Sequence, residues 1–156
     1  MPSTASGMTS ITRYLAYYIV RLLRNHPSGL YQAQIMAQME TDLSTTAWRP
    51  SNGAFNPLLH NLEDVEGYLA SDWDHAKNRT RRLYNVTEKG EAYLAREEGP
   101  SRKGLEGQIA LLVRLGLVLY GKVAMRRALR SMLNAVDPDW RTVSEDAGEE
   151  AERLFE

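Results

Sequence analysis

The sequence has no cysteine in 156 residues. That excludes a disulfide framework, a thiolate zinc knuckle, a cysteine nucleophile and a redox pair. Phenylalanine is scarce at two residues, and aromatic packing falls to eight tyrosines and three tryptophans. No apolar run reads as the roughly 20 residues a membrane span requires. The stretch Ile109 to Tyr120 is apolar but short, and it carries Arg114. The first ten residues lack both a basic start and an apolar stretch, so no secretory signal is read there. A soluble, cytoplasmic protein without membrane contact is the expectation.

A dominant charge sign is also missing, with 19 basic and 20 acidic side chains and a net charge of -1. The balance is uneven along the chain. Residues 1 to 136 hold 17 basic and 12 acidic side chains, while residues 137 to 156 hold 2 basic and 8 acidic. A body of +5 is therefore offset by a tail of -6. Lys77, Arg79, Arg81 and Arg82 crowd together just after His75, and seven basic residues against one acid lie between Arg102 and Arg130. Such clusters attract polyanions locally whatever the total charge. The acidic tail reads as a solvating segment.

Hydrophobic spacing then sets the organisation. From Thr9 to Arg24, apolar residues recur at intervals of three and four, which predicts an amphipathic helix capped by Thr9 or Ser10. The run Asn25 to Gly29 stops it. A second helix is expected over Tyr31 to Glu40, burying Ile35 and Met39. A third is expected from Asn52 to about Val65, with Phe55, Leu58, Leu59 and Leu62 inward; Pro57 is mid-segment in that count, and lies around the first turn if the helix begins near Gly53 or Ala54. The period then changes. Residues 68 to 73 and 81 to 86 read as two strands around a polar, basic loop, which makes a hairpin. Thr87 caps a fourth helix from Glu88 to about Arg96, and Glu98-Gly99-Pro100-Ser101 reads as a break. Beyond it a stripe of Leu105, Ile109, Leu112, Gly116, Leu119 and Val123 is too broad for one side of a small domain, so a second chain is its simplest cover. Gly116 and Gly121 leave both one helix and two helices open.

Helix, helix, helix, strand, strand, helix is the order of a winged helix-turn-helix: a mainly α fold with a small β-hairpin wing. The expected parts are a DNA-binding domain over 9–98, a helical dimerisation region over 101–135 and an acidic tail over 137–156. In such a fold the third helix enters the major groove. Its outward residues Ser51, Asn52, Asn56, His60 and Asn61 suit base edges and phosphates. Lys77, Arg79, Arg81 and Arg82 would grip the backbone from the wing. Strand alternation puts Arg82 with Tyr84 on one face and Arg81 with Leu83 on the other. Trp48 and Trp73 read as packing residues. Catalysis finds no support. His26, His60 and His75 are scattered without a carboxylate partner, and Glu63, Asp64 and Glu66 fit a solvated helix end. Gly99, Gly104 and Gly107 lack a phosphate-loop pattern. No enzyme activity, cofactor or metal is expected.

Three segments carry a family resemblance. Ser51 to Leu69 (SNGAFNPLLHNLEDVEGYL) resembles the recognition-helix signature of PadR-like transcriptional regulators. Arg81 to Gly90 (RRLYNVTEKG) resembles that family's second wing strand and its threonine-glutamate-x-glycine turn, and Leu30 to Ile35 (LYQAQI) resembles the start of its second helix. The resemblance covers about residues 11 to 97, with the motifs in register. It implies a homodimeric transcriptional repressor that binds double-stranded DNA, with C-terminal helices that dimerise and, as members of the family typically have, a small hydrophobic or aromatic effector. It also implies that Gly53 permits close approach at the helix start, that Arg81 and Arg82 contact minor groove or backbone, and that Tyr84 packs. The chain departs from the pattern at four places. Asn56 stands for a tyrosine, Asn52 for a proline, Ala54 for a hydroxyl residue and Gln32 for a glycine. These departures bear on which operator is read rather than on DNA binding. The alternative is a winged-helix module that assembles with other proteins without reading an operator.

Overall fold

The computed structural model describes residues 11–44, 49–75, 80–137 and 139. Thr9, Ser10, Trp48, Lys77, Arg79 and all but two residues of the acidic tail lie outside that set. The chain divides into two compact units, Met1–Glu106 and Gly107–Glu156.

In the first unit, α1 spans Ile11–Arg24 and buries Ile19, Val20, Leu22 and Leu23. Arg21 and Arg24 in its last turn suit the negative end of the helix dipole. A two-residue strand β1, Leu30–Tyr31, leads directly into α2, Gln32–Leu43, which buries Ile35 and Met39 one turn apart. Gln34 Oε1 accepts the Tyr31 N–H at 2.9 Å and closes the start of α2. Helix α3, Asn52–His60, buries Phe55, Leu58 and Leu59, and a π-helical turn over Asn61–Val65 adds Leu62. Strands β2, Leu69–Asp74, and β3, Arg81–Val86, form the wing. The sheet has three antiparallel strands in the order β1-β3-β2, with Leu69 opposite Val86, Asp74 opposite Arg81, and Leu30 opposite Tyr84.

The architecture is mainly helical with a small antiparallel sheet, as the hydrophobic spacing predicts. One core holds it, joining Ile19, Leu23, Ile35, Met39, Phe55, Leu59, Leu62, Leu69, Tyr84 and Leu94. A buried Leu or Ile contributes roughly 1.5–3 kcal/mol, against about 0.5–1.5 for a typical hydrogen bond. The four apolar residues of α3 and its π turn therefore fix how that helix is seated.

The order expected from sequence lacks β1. Two residues are too few to show alternation, and Leu30 and Tyr31 read from sequence as the start of α2. Of its two open placements, Pro57 takes the mid-segment one. With α3 beginning at Asn52, it sits in the second turn, where it has no N–H to offer the Gly53 carbonyl.

Two further differences concern α4, Glu88–Val136. The expected break at Pro100 is absent, and the helix runs through it. Contacts on either side secure it against α1. Arg13 Nη2 pairs with Glu97 Oε2 at 2.7 Å, Ser101 is buried, and Gly104 packs under the Tyr14 hydroxyl. The real interruption is Gly121, with φ 80° and ψ 167°, so two helical arms, 88–120 and 122–136, meet there. A side chain rarely adopts that backbone region.

In the second unit, Met125 Sδ fills the space that a Cβ on Gly116 would need. Nine residues of continuous helix would separate the two by about 13 Å, so the chain reverses at Gly121. Gly116, expected on the dimer stripe, is covered by its own chain. Ile109, Leu112, Leu119 and Val123 are exposed. Contrary to the sequence reading, α4 is long and apolar enough to cross a membrane by length and composition.

The turn into α4 explains the threonine-glutamate-x-glycine motif. Thr87 Oγ1 donates to the Gly67 carbonyl at 2.7 Å and accepts the Gly90 N–H at 3.1 Å, capping the helix. A Cβ on Gly90 would collide with the Tyr68 carbonyl oxygen. Gly90→Ala is expected to destabilise the fold by about 1–3 kcal/mol through this backbone clash, read as a lower urea midpoint at fixed protomer concentration.

Candidate nucleic-acid interface

Burial of one stripe of α3 leaves the opposite side in solvent. Ser51, Asn52, Gly53, Asn56, His60 and Asn61 are all exposed. Asn52, Asn56 and His60 follow one another at four-residue spacing and so form one row along the helix. Ser51 has extended backbone at the N-cap, and its carbonyl accepts the Ala54 and Phe55 N–H groups at 3.1 and 2.9 Å. Space around Gly53 is open, with no atom within 4 Å of an added Cβ. His60 Nδ1 lies 2.5 Å from Asp64 Oδ2. The sequence reading gives His60 no carboxylate, yet Asp64 stands one turn further along the same face.

The wing approaches this row. A hollow of about 770 Å³ lies between the start of α2, Asn52 and the wing, lined among others by Tyr31, Gln32, Met36, Trp73 and Arg81. A smaller one of about 190 Å³ adjoins Asn56, His60, Glu63 and Arg82. Gln32 and Arg82 border both.

The two wing arginines face different neighbours, as alternation requires. Arg81 is exposed, and its guanidinium lies 4.5 Å from the centre of the Tyr31 ring. The Tyr31 hydroxyl donates to Asp74, which raises its pKa, with Asp74 disfavouring the phenolate and the Arg81 charge opposing. Arg82 is half-buried. Its Nη2 donates to Glu63 Oε1 at 3.0 Å, and its guanidinium sits over the faces of Trp73 and Tyr84. Ser71 donates to the same Glu63 oxygen. Glu63 is thus no solvated helix-end residue: only 12% of its side chain is exposed. It ties the π turn after α3 to both wing strands. Trp73, expected in packing, is 59% exposed beside Arg82.

Burial raises the Tyr84 pKa, as it does for Tyr93, whose hydroxyl is pushed up to about 12. Tyr93 stacks on Tyr68 at 4.2 Å between ring centres and meets Tyr17 edge-on. These phenols are therefore neutral packing groups. Among the described residues, no group of three or more His, Asp or Glu side chains is placed to hold a metal ion.

The model for the transcriptional regulator PadR-like family matches residues 19–96, half of the sequence. The chain belongs to the PadR-like family of transcriptional regulators. Among solved structures, a PadR-like transcription factor from Bacteroides fragilis is similar at 25% identity and a TM-score of 0.50, covering 65% of this chain and 92% of that one. A candidate transcriptional regulator from Thermoplasma acidophilum shares the fold at 16% identity and a TM-score of 0.56, covering 65% and 93%. No curated protein matches the sequence.

Set on this PadR-like chain, the residues named from sequence separate into three groups. Ser51, Asn52, Gly53, Asn56, His60 and Asn61 share the exposed side of α3 and its continuation. Arg81 shares the larger hollow with Asn52, and Arg82, engaged by Glu63, shares the smaller one with Asn56 and His60. Lys77 and Arg79 fall outside the described residues. The sequence reading misses Gln32, Tyr31, Glu63 and Asp74. The pairing of Trp73 with Arg82 and of Asp74 with Arg81 follows from the hairpin register, and that register is the available signal for the wing residues.

Glu63→Gln is expected to lower stability by about 1 kcal/mol, since it weakens a charge-assisted bond that solvent partly screens. In a double-mutant cycle with Arg82→Met, the losses should be less than additive. Additive urea midpoints would show that the pair contributes nothing.

Proposed function

We propose that this PadR-like chain binds double-stranded DNA at a specific operator, acts as a homodimer and represses transcription in the cytoplasm. The observation that carries the reading is the exposed row Asn52, Asn56 and His60 on a helix whose other side is buried, with Asn52 on the hollow that Arg81 borders and Asn56 and His60 on the one that Arg82 borders. Amide and imidazole side chains at a helix surface suit base edges in the major groove. Ser51, Asn61 and the wing residues Lys77, Arg79, Arg81 and Arg82 suit backbone contacts or, for Arg82, support of the wing. Gly53 has the open surroundings a close-approaching phosphate needs.

The head of the molecule in this reading is 9–98, and the region 101–135 dimerises. Leu105, Ile109, Leu112, Leu119 and Val123 are all between 46% and 75% exposed. Large apolar side chains left this exposed call for a cover, and a second copy is the one proposed. A dimer would place two α3 helices in successive major grooves, about 34 Å apart. A small hydrophobic or aromatic effector would act by preferring one separation of those helices, because only differential affinity shifts a two-state equilibrium.

Selection of bound sequences from a random duplex pool tests the reading. A symmetric site with half-sites one helical turn apart is the expected product, and a pool with no enrichment would refute it. Gly53→Ala separates function from folding. It should leave stability unchanged or raise it by up to about 1 kcal/mol, as helix propensity dictates, while weakening operator binding. Arg81→Ala should make the dependence of log binding constant on log salt shallower by about one for each phosphate it no longer neutralises. Leu112→Glu should shift the sedimentation coefficient to that of a monomer and abolish binding to the two-half-site duplex.

A further inference from the structure

Gln32 opens α2, and its Nε2–H donates to Asn56 Oδ1 on α3 at 2.6 Å, across 24 residues of sequence. Both side chains are exposed. Neither is therefore compelled to pair by desolvation, and the bond adds little to stability. Its effect is on orientation. Two side-chain amides can bond in either sense, and here Gln32 is the donor and Asn56 the acceptor. With one lone pair of Oδ1 held by Gln32, the second lone pair and both Nδ2 hydrogens remain for an outside partner.

We propose that Gln32 is a specificity-determining residue that holds the Asn56 amide in the sense that reads adenine, so that side chains from two helices form one base reader. The major-groove edge of adenine offers an acceptor at N7 and a donor at N6. Asn56 Nδ2 donates to the first and Oδ1 accepts from the second. The second Nε2 hydrogen of Gln32 stays available for a phosphate oxygen on the same strand. Both residues also stand where the motif of the family resemblance has something else, a glycine and a tyrosine, so the two departures meet in one hydrogen bond. Pairing, rather than two independent changes of surface residue, is the physical content of those departures. The inference rests on the operator-binding reading.

The test is selection from a random duplex pool by the full chain and by three variants, Asn56→Ala, Gln32→Ala and Gln32→Glu. Thermal unfolding first confirms that each variant retains its fold. The wild-type chain is expected to require adenine at one position of each half-site. Asn56→Ala should lose that preference by roughly tenfold, a bidentate contact's typical discrimination, with other positions unchanged. Gln32→Ala should weaken the same preference and no other. Gln32→Glu is the sharper probe, because a carboxylate only accepts. It draws the Asn56 NH2 group toward itself, turns the amide over and changes the base preferred at that one position. If both Gln32 variants keep the wild-type base preference and merely bind more weakly at every sequence, the pair has no reading role and the inference fails. If the wild-type chain enriches no site, the operator reading itself fails and this inference falls with it.

Discussion

Phe55, Leu58, Leu59 and Leu62 lie at intervals of three and four, and their burial determines most of what the rest of the first unit presents. A helix seated by one stripe has no freedom to rotate without exposing several large apolar side chains. Each would cost roughly 1.5–3 kcal/mol. No single polar contact on the opposite side competes with that sum. The outward row from Asn52 to His60 is thus fixed indirectly, by residues that touch nothing outside the protein. The π turn extends the same seating by one residue register and delivers Glu63 toward the wing.

The wing is secured twice. Thr87 and Gly90 lock the base of the hairpin to the start of α4, with the threonine bonded to both Gly67 and Gly90. Further along, Glu63 bonds Arg82 of one strand and Ser71 of the other. These constraints act on different ends of the same hairpin. Together they tie the wing to α3 as a pair, which the proposed reading of one duplex surface would require.

Much of this is legible in the residues. Spacings of three and four mark α1, α2 and α3 and name their buried members except Val20, while Ile11, at the start of the α1 pattern, is exposed. The change to alternation marks the wing, and it separates Arg81 from Arg82 correctly. What escapes are features decided by partners distant in sequence. β1 exists because Leu30 and Tyr31 meet Tyr84 and Leu83, and a two-residue strand carries no periodicity of its own. Pro100 looks like a terminator because local propensity favours one, but contacts of Arg13 and Tyr14 with the flanking turns override it. Glu63 looks solvated because nothing in its neighbourhood along the chain discloses Arg82. For the candidate interface, the exposed α3 residues are readable from helix geometry alone. The Gln32 contribution is not, since it depends on how two helices lie against each other.

The Arg82–Glu63 contact also alters what the basic cluster means at a distance. An isolated guanidinium is a monopole whose pull on a polyanion extends about a Debye length, near 8 Å in physiological salt. A guanidinium held 3.0 Å from a carboxylate oxygen is close to a dipole, and its field decays faster than that of either charge. Arg82 therefore does little to draw a nucleic acid in from solution. On the proposed DNA-binding reading, long-range capture and short-range rigidity would fall to neighbouring arginines on opposite faces of one strand, and a count of charges along the sequence merges the two.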